Sequence, residues 1–295
     1  MRNPVRSLTL VLVVTAAVPA VVRAQAAVDT VISVDAPARL DVENFRGSVT
    51  IGTWDRNAVR VVAEGPRSAI RIHGGGGAVR IQTDLSRGPQ EVDYRLTVPL
   101  AMDLSINGVD TDVTIRDTQG RVQSHTVNGD ISVQGGRGVI ELNSVQGEVT
   151  LSGAQGNAEL SSVNDAIQVS GFDGDLKATT VNGEVVLSGV ESGNVESTTV
   201  NGSISYQGAI RSDGWYRFNT HNGEISVTVP AGTGANVEVN TFNGDFQADF
   251  PVTFNESRKG KNFNFTLGNG GARIELSAFN GTIRLRRSGQ SGGGS

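Results

Sequence analysis

The sequence has no cysteine. That excludes disulfides, thiolate metal centres, a cysteine nucleophile and a lipidated N-terminal cysteine, so stability has to come from packing and backbone hydrogen bonding. Aromatic residues are scarce, at 5%. Histidine occurs only at His73, His125 and His221, and His125 and His221 fall at different places in the repeat described below, so no shared metal set or Ser-His-Asp arrangement is encoded. Basic residues are outnumbered, 25 against 30 acids. An acidic balance argues against a nucleic-acid partner, which calls for a basic face. After residue 22 there is no second long apolar run, so no membrane-spanning segment is expected in the mature chain. No cofactor motif is found either; the glycines at Gly74 to Gly77 lack the Lys-Ser/Thr and the helix of a phosphate loop.

What is present begins with an export signal. Arg2 and Arg6 give a basic start, Leu8 to Val22 is an uncharged apolar run, and Ala24-Gln25-Ala26 supplies small residues for cleavage. Residues 1–26 therefore read as a signal peptide and Ala27 as the first mature residue. The apolar run is too short for a bare membrane anchor. Without Arg2, Arg6 and Arg23 the mature chain keeps 22 basic residues against 30 acids, a net charge of −8. The expected location is periplasmic, cell-surface or extracellular.

Glycine is abundant, 38 of 295 residues, nearly double the usual ~7%. Much of it belongs to one recurring phrase. It reads Thr126-Val127-Asn128-Gly129, Thr180-Val181-Asn182-Gly183, Thr199-Val200-Asn201-Gly202, Thr241-Phe242-Asn243-Gly244 and Ala278-Phe279-Asn280-Gly281. Looser copies centre on Asn107, Gln146, Asn164 and Asn222, and from 107 to 243 the step is 18 to 21 residues. A fixed period of this size marks a repeat architecture. Apolar and polar residues alternate over four to seven positions between Gly-rich turns, which is the signature of strands, and the fold class is all-β.

Two architectures can use this pattern. Each Asn-Gly could be a hairpin turn in an antiparallel meander. Alternatively, each repeat is one coil of a β-solenoid, a single-stranded β-helix-like stack in which equivalent residues lie ~4.8 Å apart. Recurrence of one residue type at one position favours the solenoid, because only stacking requires it. Ala158, Leu160 and Ser162 share one parity before the Asn position, whereas Ile131 and Val133 share the other after it, so the chain must bend between them. Placing that bend just before the Val puts Val127 and Val181 in the core, and Val181→Asp is then expected to be strongly destabilising.

The expected organisation is one β-repeat domain over 27–287, with degenerate coils at 27–98, regular coils from 99 and an insertion at 249–270. Residues 288–295 form a Gly/Ser tail expected to be disordered. The motif Thr-Val-Asn-Gly-(Asp/Glu), the entry phrase Asn44 to Trp54 and the closing phrase Gly270 to Leu285 together resemble bacterial exported β-repeat proteins described as adhesin candidates of unknown function, similar to the toastrack-type domains linked to envelope-stress systems. The resemblance covers about Val28 to Arg287 and implies a β-helix-like domain outside the cytoplasmic membrane. It implies no catalytic residues.

Candidate functional groups are few. Asn107, Asn128, Asn164, Asn182, Asn201, Asn222, Asn243 and Asn280 are expected to form a structural ladder of stacked amides, not a row of ligands, because they run the whole length. Among the acids that follow the Asn, the pairs Asp130–Glu148 and Glu224–Asp245 would lie on adjacent coils and are weak calcium candidates beside the simpler reading as a solvated face. Trp215 and Tyr216, after an expanded loop, and Arg258, Lys259 and Lys261, at an inserted hairpin tip, are the candidate partner contacts. Sites are to be sought where the repeat breaks, at Asp110 to Asp117, Gly208 to Phe218 and Phe250 to Asn269. The leading function is a non-catalytic envelope scaffold that binds a protein or a surface glycan. An envelope-stress accessory acting through a membrane partner is the alternative, and a polysaccharide-active enzyme a minor one.

Overall fold

The computed structural model describes residues 27–257 and 261–288. The expected signal peptide, Arg258 and Lys259 of the expected hairpin tip, and most of the Gly/Ser tail lie outside the described residues. The described residues form one 25-stranded sheet that is parallel through its middle, with only a single 3-10 turn at Arg67–Ala69 besides. The N-terminal end is built by β1 (Val28–Ser33), β2 (Arg39–Trp54), β3 (Ala58–Glu64), β4 (Ile70–Gly75), β5 (Ala78–Thr83), β6 (Asp93–Pro99) and β7 (Asp103–Arg116). The middle comprises β8 (Val122–Asn128), β9 (Ile131–Gln134), β10 (Arg137–Gln146), β11 (Val149–Ser152), β12 (Gln155–Ser161), β13 (Ile167–Ser170), β14 (Asp173–Thr179), β15 (Val185–Val190), β16 (Asn194–Asn201), β17 (Ile204–Gly208), β18 (Trp215–Asn222) and β19 (Ile225–Val229). The C-terminal end is β20 (Ala235–Thr241), β21 (Phe246–Ala248), β22 (Phe254–Ser257), β23 (Lys261–Leu267), β24 (Ala272–Asn280) and β25 (Ile283–Arg287).

Even-numbered strands β8 to β18 stack in parallel on one another, and odd-numbered β9 to β19 do the same. Each coil is thus two short strands joined at a corner, which is the solenoid; a meander of Asn-Gly hairpins would have paired consecutive strands antiparallel. The core lies between the two stacks. Leu142, Leu160, Leu176 and Val195 face Leu151, Val169, Leu187 and Tyr206 within a single buried cluster.

The corner sits later than parity alone indicated. The first strand keeps its inward parity through the Ser/Thr, and the second resumes it three places after the Asn, as at Thr126 and Ile131. Val, Asn and Gly between them form the bend. Val127 and Val181 are therefore outside the core, 44% and 38% exposed. The buried residue is instead the hydroxyl two places before the Asn. It is tolerated because it donates to a carbonyl on the preceding coil: Thr126 Oγ1 to Thr111 O at 3.1 Å, Ser144 Oγ to Gly129 O at 3.1 Å, Thr180 Oγ1 to Asp165 O at 3.1 Å and Thr199 Oγ1 to Gly183 O at 3.1 Å. The glycine after the Asn is needed for close approach, since a Cβ on Gly202 would land on the Gly183 carbonyl oxygen.

Both ends depart from sequential stacking. β2 runs through a whole coil and pairs in parallel with β7 on one side, and with β5 and β6 on the other. β4 then covers β5, β3 covers β6 and β1 covers β3, all antiparallel. At the far end the last coil, β24 and β25, is inserted between the coil of β18 and β19 and that of β20 and β21. The hairpin β22–β23 then lies antiparallel along β20. Antiparallel cover at each end blunts an otherwise open parallel edge.

Candidate binding surface

Stacking aligns the corner residues into rows that run the length of the molecule. The amide row begins with Arg46 and Asp110, where Arg46 Nη2 donates to Asp110 Oδ2 at 3.0 Å and Asn128 Nδ2 donates to Asp110 Oδ1 at 2.8 Å. The bond from Asn128, and then that from Arg46, hold the Asp110 carboxyl below its ordinary value. Asn182 Nδ2 donates to Asn164 Oδ1, Asn201 to Asn182, Asn222 to Asn201, Asn280 to Asn222 and Asn243 to Asn280, at 2.8 to 3.2 Å. Asn107 is not a member. It pairs with His125, three places upstream of the row, and Asp110 fills the ladder position. The 18-residue step back from Asn128 identifies Asp110; the Asn-Gly dipeptide at 107 obscured it.

Two of the acids that follow this row accept from backbone amides of the next coil. Asp112 Oδ1 accepts from Asp130 N at 3.0 Å, and Asp130 Oδ1 accepts from Glu148 N at 2.8 Å. Glu224 and Asp245 are not neighbours, because the inserted coil separates them and places Arg284 against Glu224 in an ion pair. Among the described residues no group of His, Asp or Glu is arranged to hold a metal ion.

Immediately before the amides runs an exposed apolar row, Val127, Val145, Val181 and Val200, continued by His221, Phe279 and Phe242. Its last three members are flat rings stacked face to face. His221 lies 4.6 Å from Phe279 at 8°, and Phe279 lies 4.8 Å from Phe242 at 9°. Phe279 is 42% and Phe242 65% exposed. Two places upstream, on the same outward face, Thr198, Asn219, Ser277, Asn240 and Asn262 align across β16, β18, β24, β20 and β23. The two rows bound a groove of about 490 Å³ with a neutral polar floor and an aromatic wall.

A charged cluster lies on the same strands, with Arg217 two places before Asn219 and Glu275 two places before Ser277. Glu275 accepts from Arg217 Nε at 2.9 Å and from Trp215 Nε1 at 3.3 Å, and Arg273 Nε lies at 2.5 Å. Burial raises the Glu275 carboxyl, but the bonds from Trp215 and Arg217 and the charges of Arg217 and Arg273 outweigh it and leave it below its ordinary value. Arg217 also sits over the Trp215 ring, 4.5 Å from its centre. Trp215 is half-buried in this cluster. Tyr216 is fully buried and donates to Ser192 O at 2.7 Å, so it is a core residue and not a contact. Lys261 opens β23. A second recess of about 590 Å³, lined by Pro37, Trp54, Arg56, Leu100 and Met102, opens at the other end of the molecule.

Family comparison agrees with this architecture. The Toastrack DUF4097 family profile matches residues 42–286, and the chain belongs to that family. No curated protein matches the sequence. Similar solved structures include a candidate adhesin from Bacteroides fragilis, with 13% identity, 88% of this chain and 96% of that one covered and a TM-score of 0.41. A candidate adhesin from Parabacteroides distasonis follows, with 9% identity, 88% and 96% covered and a TM-score of 0.40. A candidate cell adhesion protein from Clostridium sporogenes is similar over 85% of this chain and 92% of that one, with 10% identity and a TM-score of 0.29. Among the described residues no helix is long and apolar enough to cross a membrane.

Proposed function

We propose that the protein is a non-catalytic, exported scaffold of the cell envelope that presents a long, rigid surface to a protein or glycan partner. The observation that carries this reading is the exposed Val/His/Phe row. An apolar stripe that runs along a solvated molecule is the mark of an interaction site, and here the coil stack fixes the spacing of every residue on it. The basic start and apolar run of residues 1–26 support export. The Asp130 carboxylate accepts from the Glu148 amide and the Glu148 carboxylate from the Thr150 hydroxyl, which supports a structural role for the repeat acids over a catalytic one.

The test is affinity capture from the native envelope, with the wild-type protein and a Val145→Glu, Val181→Glu variant as baits. A partner held by the wild type and released by the variant is the expected result. Capture that is indifferent to the stripe, or no capture, would sink the proposal, as would release of reducing ends from envelope glycans. Recovery of a single membrane protein as the stripe-dependent partner would identify the scaffold as an envelope-stress accessory.

A further inference from the structure

The wall of the C-terminal groove is tall only where Val gives way to rings. On the coils of Val127, Val145 and Val181 the same position carries a short aliphatic side chain. On the last coils His221, Phe279 and Phe242 raise it, and the groove forms beside them. Its floor carries hydroxyls and amides but no charge. Asn240 donates to Glu238, whereas Thr198, Asn219, Ser277 and Asn262 have no side-chain partner among the described residues, so their donors and acceptors face solvent. No charged side chain lines the groove; of the charges flanking it, Arg217 and Arg273 are paired with Glu275, and the Glu238 carboxylate accepts from Asn240. Such a surface gives an anionic polymer nothing to pair with and would desolvate no charge on binding a neutral one.

Spacing narrows the occupant further. The floor residues repeat once per strand, ~4.8 Å apart, which is close to the advance of one sugar in an extended β-linked chain. Each sugar has an equatorial rim of hydroxyls for the amides and an apolar face for the ring wall. We infer that this groove binds an extended, uncharged β-linked glycan lying across the strands, with one sugar to each of the adjacent strands β16, β18, β24, β20 and β23. This inference rests on the scaffold reading and names the class of its partner.

Calorimetric titration of the purified protein with cellohexaose, laminarihexaose and chitohexaose tests it, with oligogalacturonate as the anionic control. At least one neutral hexasaccharide should bind, more tightly than the control. Phe279→Ala and Asn219→Ala should each lower its affinity at least tenfold, with the melting transition retained in Asn219→Ala, and Gln168→Ala, at an exposed position of β13 away from both rows, should leave binding unchanged. The inference is overturned if no neutral hexasaccharide binds, if oligogalacturonate binds as tightly, if Asn219→Ala and Phe279→Ala bind like the wild type, or if only an extended peptide occupies the groove. A stripe-dependent envelope partner captured equally well by Asn219→Ala would leave the scaffold standing and remove this glycan assignment alone.

Discussion

A hydroxyl inside an apolar core costs free energy unless it finds an acceptor, and in this protein the acceptor is supplied by the coil below. Thr180 reaches Asp165 O, and Thr199 reaches Gly183 O. Thr180→Val keeps the shape and leaves that carbonyl unpaired, so urea unfolding should show a loss of ~1–2 kcal/mol. One place further on, the side chain points outward. Val181→Asp should then cost less than ~1 kcal/mol, while Val185→Asp, which puts a charge among fully buried residues, should abolish the folded state. Equal melting temperatures for those two variants would refute the position of the corner. Parity explains why sequence reasoning put Val181 inside: counting back by twos from Leu187 and Val185 reaches it, so the bend was set just before the Val. The opposite order follows from the backbone carbonyl that waits for the Thr, and no local pattern reveals that carbonyl.

At the scale of the strand and corner, close stacking sets what can be changed. Gly202→Ala would drive a methyl group into the Gly183 carbonyl and should destabilise by ~2–3 kcal/mol, whereas Gly52→Ala, with nothing near the added methyl, should be neutral or slightly stabilising by thermal melting. The Glu275 cluster ties β24 to β18. Because its carboxyl is depressed below the ordinary value of 4.5, the stability it lends is present above that pH and is lost as the pH falls through the folded value. Glu275→Gln should thus be less stable than the wild type at pH 7, and the gap should close progressively in acid below pH 4.5; a gap that is constant from pH 7 to pH 3 would contradict this assignment. The coil period and most of the amide row were legible in the sequence, because a stack requires like residues at like positions. Asp110 was within reach of the 18-residue step but hidden by the Asn-Gly at 107, and its partner Arg46 and its role as the acceptor for Asn128 emerge only from the register of β2, β7 and β8.

Across the whole molecule, order in the chain and order in space agree in the middle and part company at both ends. Nothing in the repeat phrase at Asn280 distinguishes a final coil from one slotted between two earlier ones, so this insertion could not be read from local pattern; the pairing of Asn280 with Asn222 spans 58 residues. Removal of residues 272–295 should consequently do more than shorten the stack. Hydrogen exchange should show loss of protection in β20, β21 and β23, which rest directly or through β20 on the inserted coil, while β8 to β15 stay protected. Protection unchanged in β20 would exclude the intercalated order. The interlocked ends also define where the molecule can grow. Between Gly153 and Gly171 each coil touches only the one before and the one after, so an 18-residue unit duplicated there would carry its own Ser162, Val163, Asn164 and Asp165 into the rows and leave the antiparallel cover at both ends untouched. Length is therefore a free variable of this architecture: relatives could differ by whole coils, and an engineer could adjust the span from one end to the other in steps of ~4.8 Å without redesigning a single contact.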